Sequence, residues 1–299
     1  MSILVLGTVA LDTVKTPYGR RTKMLGGSAV HFSMAARLFS DVHLVAGVGK
    51  DFPRHHVDFL KQKGIVLTSL IRSEGKTFQW IGQYQGDLNT ALTISTELGV
   101  LITFKPRISA EQRDIKNIFL ANIDPELQEC LLAHMHSPRL VALDSMNYWI
   151  NNKPRQLRRL LKKVDIYVAN DQEARVLSGE DNLIRAAKYL RSCGPKMILI
   201  KKGEHGVLFY TDRFIVSLPA YPTDKVIDPT GAGDTFAGGF MGYLTKTGRV
   251  NAASVKKALV YGTIAASFNV EGFGMEKTSG LTLEALNRRL NKFRKAVVF

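Results

Sequence analysis

Along most of the chain, short aliphatic and β-branched runs alternate with stretches whose apolar positions recur every three or four residues. Residues 2–6, 42–48, 140–143, 165–169 and 197–201 read as strands, and 29–39, 54–63, 125–134, 154–163, 171–177 and 183–192 as helices. Alternation of this kind predicts parallel strands with helices on both faces. The expected architecture is therefore a three-layer α/β/α, Rossmann-like, mostly parallel sheet, with residues 1–299 forming one domain. Two stretches break the rhythm. Residues 13–25 and 68–95 are rich in Thr, Tyr, Phe, Trp and Gln with short alternation, as in Thr77-Phe78-Gln79-Trp80-Ile81-Gly82-Gln83-Tyr84, and predict extra strands forming a small lid beside the main sheet.

No apolar run approaches the roughly 18 to 20 residues of a membrane-spanning helix. The N-terminus carries no basic leader, meets Asp12 early and reads as a buried strand, so the expected location is the cytoplasm. Hydrophobic residues at 45% and charged residues at 22% exclude disordered and fibrous classes. The two cysteines, Cys130 and Cys193, are too few for a disulfide framework and have no zinc or redox spacing, which leaves them as packing residues.

The net charge of +15 fits either a nucleic-acid surface or an affinity for phosphorylated small molecules. Its basic clusters, 153–163 and 288–295, are interleaved with leucines at helical spacing (Leu157, Leu160, Leu161; Leu283, Leu286, Leu290), so they read as the wet faces of amphipathic helices. No zinc-finger or helix-turn-helix pattern supports nucleic-acid binding.

The chemistry concentrates in Asp228-Pro229-Thr230-Gly231-Ala232-Gly233-Asp234-Thr235-Phe236. Gly231, Ala232 and Gly233 follow a strand-like run and open a helix-like one, so their unobstructed amides can converge on an anion where the helix dipole favours one. Asp234, in the first turn, is placed to take a proton from a hydroxyl attacking a bound phosphoryl group. The chain lacks a P-loop, a first-unit G-x-G-x-x-G and a G-x-S-x-G elbow, which argues against P-loop, dinucleotide and serine-hydrolase chemistry.

This segment resembles the C-terminal signature of the ribokinase (PfkB) family of carbohydrate and nucleoside kinases, and other segments follow in that family's order. Gly7 to Asp12 resembles the first strand with its substrate-binding aspartate, and Gly26-Gly27-Ser28-Ala29 the diglycine signature. Asn170-Asp171-Gln172-Glu173 matches the N-x-x-E motif associated with magnesium. Lys202-Gly203-Glu204-His205-Gly206 sits where the family places a glycine turn beside the nucleotide.

The resemblance implies an ATP-dependent kinase acting on a primary hydroxyl of a sugar or nucleoside. Asp234 would be the base and Gly231, Ala232 and Gly233 the anion hole. Asp12, Gly26 and Gly27 would bind the acceptor, and Asn122, which ends a strand-like run, could reach the same pocket. Asn170, Lys202, Gly203, Gly206, Gly231 and Gly233 would face the nucleotide, with Asn170 and Glu173 holding Mg2+ through water. Outside this context the latter pair reads as a helix cap. Where the family often carries an asparagine that contacts the sugar, this chain has His31. Asp228 matches a position that contributes to a K+ site in many relatives. Phe78, Trp80 and Tyr84 of the lid could stack on a base, pack, or pair two subunits, so the expected state is a monomer or a homodimer through the lid. The competing class is a non-catalytic sensor that docks its basic surface to nucleic acid.

Overall fold

Ile3, Leu4, Val5 and Leu6 expose no surface, as expected of a strand covered on both faces. A computed structural model describes residues 1–86 and 88–297; Asp87, within the expected lid, and Val298 and Phe299 lie outside the described residues. In chain order the first elements are β1 (Ser2–Leu6), β2 (Ala10–Thr16), β3 (Gly19–Gly26), α1 (Ser28–Ala36), β4 (Asp41–Gly49), α2 (Arg54–Gln62), β5 (Val66–Ser73), β6 (Phe78–Tyr84) and β7 (Ala91–Glu97). Next come α3 (Ala110–Arg113), β8 (Asn117–Leu120), α4 (Pro125–Ala133), β9 (Leu140–Asp144), α5 (Asn147–Asn152), α6 (Pro154–Leu161), β10 (Ile166–Asn170), α7 (Asp171–Ser178) and α8 (Leu183–Ser192). The chain continues through β11 (Met197–Lys201), β12 (Val207–Tyr210), β13 (Ile215–Leu218), α9 (Ala232–Thr247), α10 (Ala252–Asn269) and α11 (Leu283–Val297).

The main sheet has the order β13-β12-β11-β10-β9-β8-β1-β4-β5 and is parallel except at β12 and β13. Successive residues of each central strand enter opposite cores. Ile3 and Val5 pack with Phe32 of α1 and Phe240 of α9, whereas Leu4 and Leu6 pack with Leu157 and Leu160 of α6 and Leu190 of α8. The period of two along the strands thus builds the three layers. It also brings the carboxyl ends of β8, β9, β10 and β11 to one edge, where open α/β sheets bind ligands.

A second sheet, β3-β2-β6-β7, forms the expected lid, with two corrections. Residues 68–73 are not part of it, because β5 pairs in parallel with β4 at the edge of the main sheet. Asp12 does not close the first strand. The chain leaves the main sheet at Gly7 and Asp12 stands within β2, on the lid. Buried Val9, Ala10 and Leu11 carry the apolar pattern across the break, so no polar signal marks it.

The basic clusters behave as wet helix faces. On α6 and its flanks, Arg159 and Lys163 pair with Glu129 of α4, and Lys153 reaches Asp124 and Glu126, while Leu157, Leu160 and Leu161 are buried. No helix among the described residues is long and apolar enough to cross a membrane.

Candidate active site

The loop before α9 is held by Asp228, which is fully buried and accepts from the amides of Thr230 (2.9 Å) and Gly274 (3.2 Å). Gly231 then caps α9 with φ +72, a left-handed conformation that favours glycine, and a Cβ there would lie 2.2 Å from the His31 ring. No other residue fits. Ala232 donates its amide to Pro229's carbonyl at 3.1 Å, so Gly231 and Gly233 are the two cradle amides outside that turn. Asp234 follows in the first helical turn. Burial raises its carboxyl to about 7; Asp144 adds to the rise and Lys201 opposes it.

Lys201 and Asp144 were not legible as site residues. They end β11 and β9 and form a 2.7 Å ion pair at the carboxyl edge, with 17% and 4% of their side chains exposed. Sequence reading assigned the neighbouring Lys202 instead, because the motif begins there. The signal that finds Lys201 is a lysine closing the otherwise apolar strand Met197-Ile198-Leu199-Ile200 at the ligand-binding edge.

Asn170 and Glu173 form a reciprocal capping box at the start of α7. Asn170 Oδ1 accepts the Glu173 amide and Glu173 Oε2 accepts the Asn170 amide, both at 2.7 Å. The cap reading is therefore realised in the structure. Glu173 is also buried, and burial with the nearby Asp144 charge raises its carboxyl well above the usual range.

On the lid side, Asp12 Oδ2 accepts the Gly27 amide at 3.2 Å. Burial raises Asp12 to about 7, and repulsion from Asp228 and Asp234 adds to it. The diglycine makes this possible sterically: a Cβ at Gly26 would lie 1.9 Å from Asp12 Oδ2, and Gly27, at φ +96, would press one to 2.4 Å from Thr8's carbonyl oxygen. His31 is buried beneath the cradle, its Nδ1 3.0 Å from Asn269 Oδ1. Asn122 lies beside the diglycine, held by three contacts. Its side-chain oxygen accepts from Trp149 Nε1 (3.0 Å), its amide nitrogen donates to Met146 Sδ (3.1 Å), and its backbone carbonyl accepts from Ser28 Oγ (3.0 Å).

After β11 the chain folds into a tight turn, with Lys202 donating its amide to Gly206's carbonyl at 2.7 Å and positive φ at Gly203 and Gly206. The lid reaches this turn through Asn89, which donates to Glu204 (2.8 Å). It reaches the cradle loop through Tyr84, whose hydroxyl accepts from Thr230 Oγ1 (3.3 Å). Of the three lid aromatics, Tyr84 is buried, while Phe78 and Trp80 are half-buried.

An anion cradle, a carboxyl held near neutrality beside it, and a second one facing it from a lid form the layout of a phosphoryl-transfer site for an alcohol. Residues 3–279 match the pattern of the pfkB family carbohydrate kinase. The chain belongs to this family. It is 32% identical over 250 residues to the cytidine kinase of Thermococcus kodakarensis, covering 81% of this chain and 87% of that protein. Over 278 residues it is 29% identical to the deoxyribokinase of Salmonella typhi, covering 89% and 87%. The crystal structure of the Methanocaldococcus jannaschii nucleoside kinase, an archaeal member of the ribokinase family, superimposes with a TM-score of 0.79 at 22% identity, covering 97% and 98% of the two chains. The three-layer fold with its lid is thus the ribokinase fold, and this PfkB chain is an ATP-dependent phosphotransferase with an alcohol acceptor of the sugar and nucleoside class. The sensor reading is set aside.

Proposed function

We infer that this PfkB kinase phosphorylates a nucleoside, transferring the γ-phosphoryl group of ATP to the primary hydroxyl of the ribose. The observation that carries the chemistry is Asp234, a carboxyl raised to about 7 in the first turn of α9, directly behind Gly231 and Gly233. The acceptor class rests on likeness to the cytidine kinase over most of both chains.

In this reading Asp12 accepts hydrogen bonds from ribose hydroxyls, and lid closure shields the site from water. Asp234 takes the proton of the attacking hydroxyl while the cradle amides meet the charge on the transferred group. His31 supports the acceptor. Asn269 Nδ2 donates to Thr230's carbonyl (2.7 Å), so its Oδ1 can only accept, from Thr235 Oγ1 (2.9 Å) and from His31 Nδ1. The proton therefore sits on Nδ1. Burial lowers the ring to about 4, which keeps Nε2 a bare acceptor, and it is buried without a partner among the described residues. A substrate hydroxyl donated to Nε2 completes that geometry.

Magnesium suits the nucleotide side: Asp144, Glu173 and Asp234 gather about the Lys201 ammonium, and the positive charge of Mg2+ carried by ATP would favour the ionised forms of carboxyls that burial and mutual repulsion raise. Glu173 Oε2 and Asn170 Oδ1 already accept backbone amides in the capping box, which favours a water-mediated role for both over direct coordination. Lys202, Gly203 and Gly206 line the nucleotide turn. A K+ ion at Asp228 would share a carboxylate that already takes two amides. Exposed Leu92 and Ile94 on the edge strand β7 support a lid-to-lid dimer. The free thiols of Cys130 and Cys193 suit a reducing cytoplasm.

The test is ADP release with cytidine, uridine, adenosine, inosine, ribose, 2-deoxyribose and fructose 6-phosphate as acceptors. A kcat/KM for one nucleoside at least tenfold above every free sugar supports the reading; the reverse order makes the protein a sugar kinase.

A further inference from the structure

Lys201 and Asp144 reach toward each other from the two strands that flank β10. A buried ion pair is no better for stability than a well-packed apolar pair, so cohesion of the sheet does not explain it. Its position does. A Cβ on Gly233 would lie 2.9 Å from Lys201 Nζ and 3.5 Å from both Cδ and Cε, which puts the ammonium and the end of its stem against the cradle backbone, beside Asp234. Asp144 takes one ammonium hydrogen through Oδ2 and is itself fixed, its Oδ1 accepting the Ser145 amide at 2.8 Å. Among the described residues the ammonium donates to Asp144 alone, which leaves two donors for a ligand, and the lysine keeps 17% of its side chain exposed.

We propose that Lys201 is a catalytic residue of the phosphoryl transfer, its ammonium contacting a non-bridging oxygen of the γ-phosphoryl group beside the Gly231 and Gly233 amides, with Asp144 as the positioning residue that holds it there. The inference rests on the kinase reading above. In the step itself the acceptor oxygen bonds to the γ-phosphorus and the bond from that phosphorus to the β,γ-bridging oxygen breaks. ADP leaves with the electron pair, and the hydroxyl proton passes to Asp234. Lys201 gains and loses no proton. It supplies a fixed positive charge where negative charge spreads over the transferred group, a contribution of the kind that oxyanion donors make.

Lys201→Met keeps the stem and removes the charge. The expected result is a fall in kcat of about 10² to 10³ with the KM for ATP changed less than about threefold. A readout independent of turnover uses ADP with fluoroaluminate, a mimic of the group in flight. Wild-type protein should bind ADP more tightly when fluoroaluminate is present, and Lys201→Met should lose that gain while binding ADP alone as before. The double variant Lys201→Met with Asp144→Asn separates catalysis from simple charge neutralisation, since it leaves no unpaired buried carboxylate. A double variant as slow as the single one supports the proposal, whereas recovery of kcat to near wild type overturns it. Retention of the fluoroaluminate gain in Lys201→Met overturns it as well. Asp144→Asn alone should lower kcat less than Lys201→Met, and a larger loss would assign the catalytic role to the carboxylate. If wild-type protein phosphorylates no acceptor of the panel, the kinase reading has failed. If it does and Lys201→Met matches it, only this inference has.

Discussion

Asp234 combines two properties: it keeps some surface open to the site, yet its carboxyl is raised to about 7 by burial and by Asp144. A base with that value is half-deprotonated near neutrality, where proton transfer is most effective. The kcat/KM for the acceptor should therefore fall on the acid side with an apparent pKa near 7. Asp234→Asn should lower kcat by about 10² to 10⁴ with ATP affinity nearly unchanged. An active Asp234→Asn enzyme would remove it from the base role. His31→Leu deletes the bare Nε2 acceptor, and an unmet substrate hydroxyl costs about 1 to 3 kcal/mol, or roughly 5- to 150-fold in acceptor KM. Unchanged KM would make His31 a packing residue under Gly231. Glu173→Gln is informative because glutamine also closes a capping box, so α7 keeps its start while the charge is lost. The magnesium concentration for half-maximal rate should rise with acceptor preference unchanged. An unaltered requirement would leave Glu173 with the cap alone.

Among the elements, the lid carries Asp12, the carboxyl proposed to bind the acceptor, and also contacts the cradle loop through Tyr84 and the turn after β11 through Asn89. Its closure should thus couple the two substrates. Gly26→Ala drives a Cβ into Asp12 Oδ2 and should raise acceptor KM at least tenfold while the KM for ATP stays within about threefold. Equal changes in both would mean that the substitution damages the fold rather than the acceptor contact. Gly27, with its positive φ and a carbonyl at 2.4 Å, tolerates no side chain, so substitution there reports strain and not hinge motion. Hydrogen exchange with and without acceptor, at two protein concentrations, reads the motion directly. Protection of β2, β6 and β7 that follows ligand marks a closing lid, and protection that follows concentration marks a dimer along β7.

For the molecule as a whole, the site is a source of pH-dependent instability. Asp12 and Asp234 each have a folded pKa of about 7 against an ordinary 3.8, so the folded state binds these protons more tightly than the unfolded chain. Below about pH 4 both states hold them and there is no penalty. As pH rises through the window from about 4 to about 7, the folded state must carry buried charge, and ligand-free stability declines. Asp234→Asn should therefore raise the thermal midpoint more at pH 8 than at pH 5; a gain independent of pH would show that the carboxyl is not raised by folding. Surface ion pairs such as Glu129 with Arg159 and Lys163 are partly exposed and contribute little.

The sequence determined the layers, the motif residues and the family. Periods of two and of about 3.6 follow from local backbone geometry, and Gly231, Ala232, Gly233 and Asp234 are contiguous, so their relation to one helix N-terminus is local too. Asp228, Asn170 and Glu173 were legible for the same reason. Tertiary structure decided what depends on strand order. Asp144 and Lys201 are 57 positions apart and meet because β9 and β11 flank β10. The assignment of residues 68–73 to the main sheet needed the pairing of β5 with β4, and the placement of Asp12 on the lid needed that of β2 with β6. His31 follows the same rule. Its tautomer is set by Asn269, 238 positions away, through an amide whose orientation Thr230 fixes, a constraint that exists only once α1, α9 and α10 have packed together.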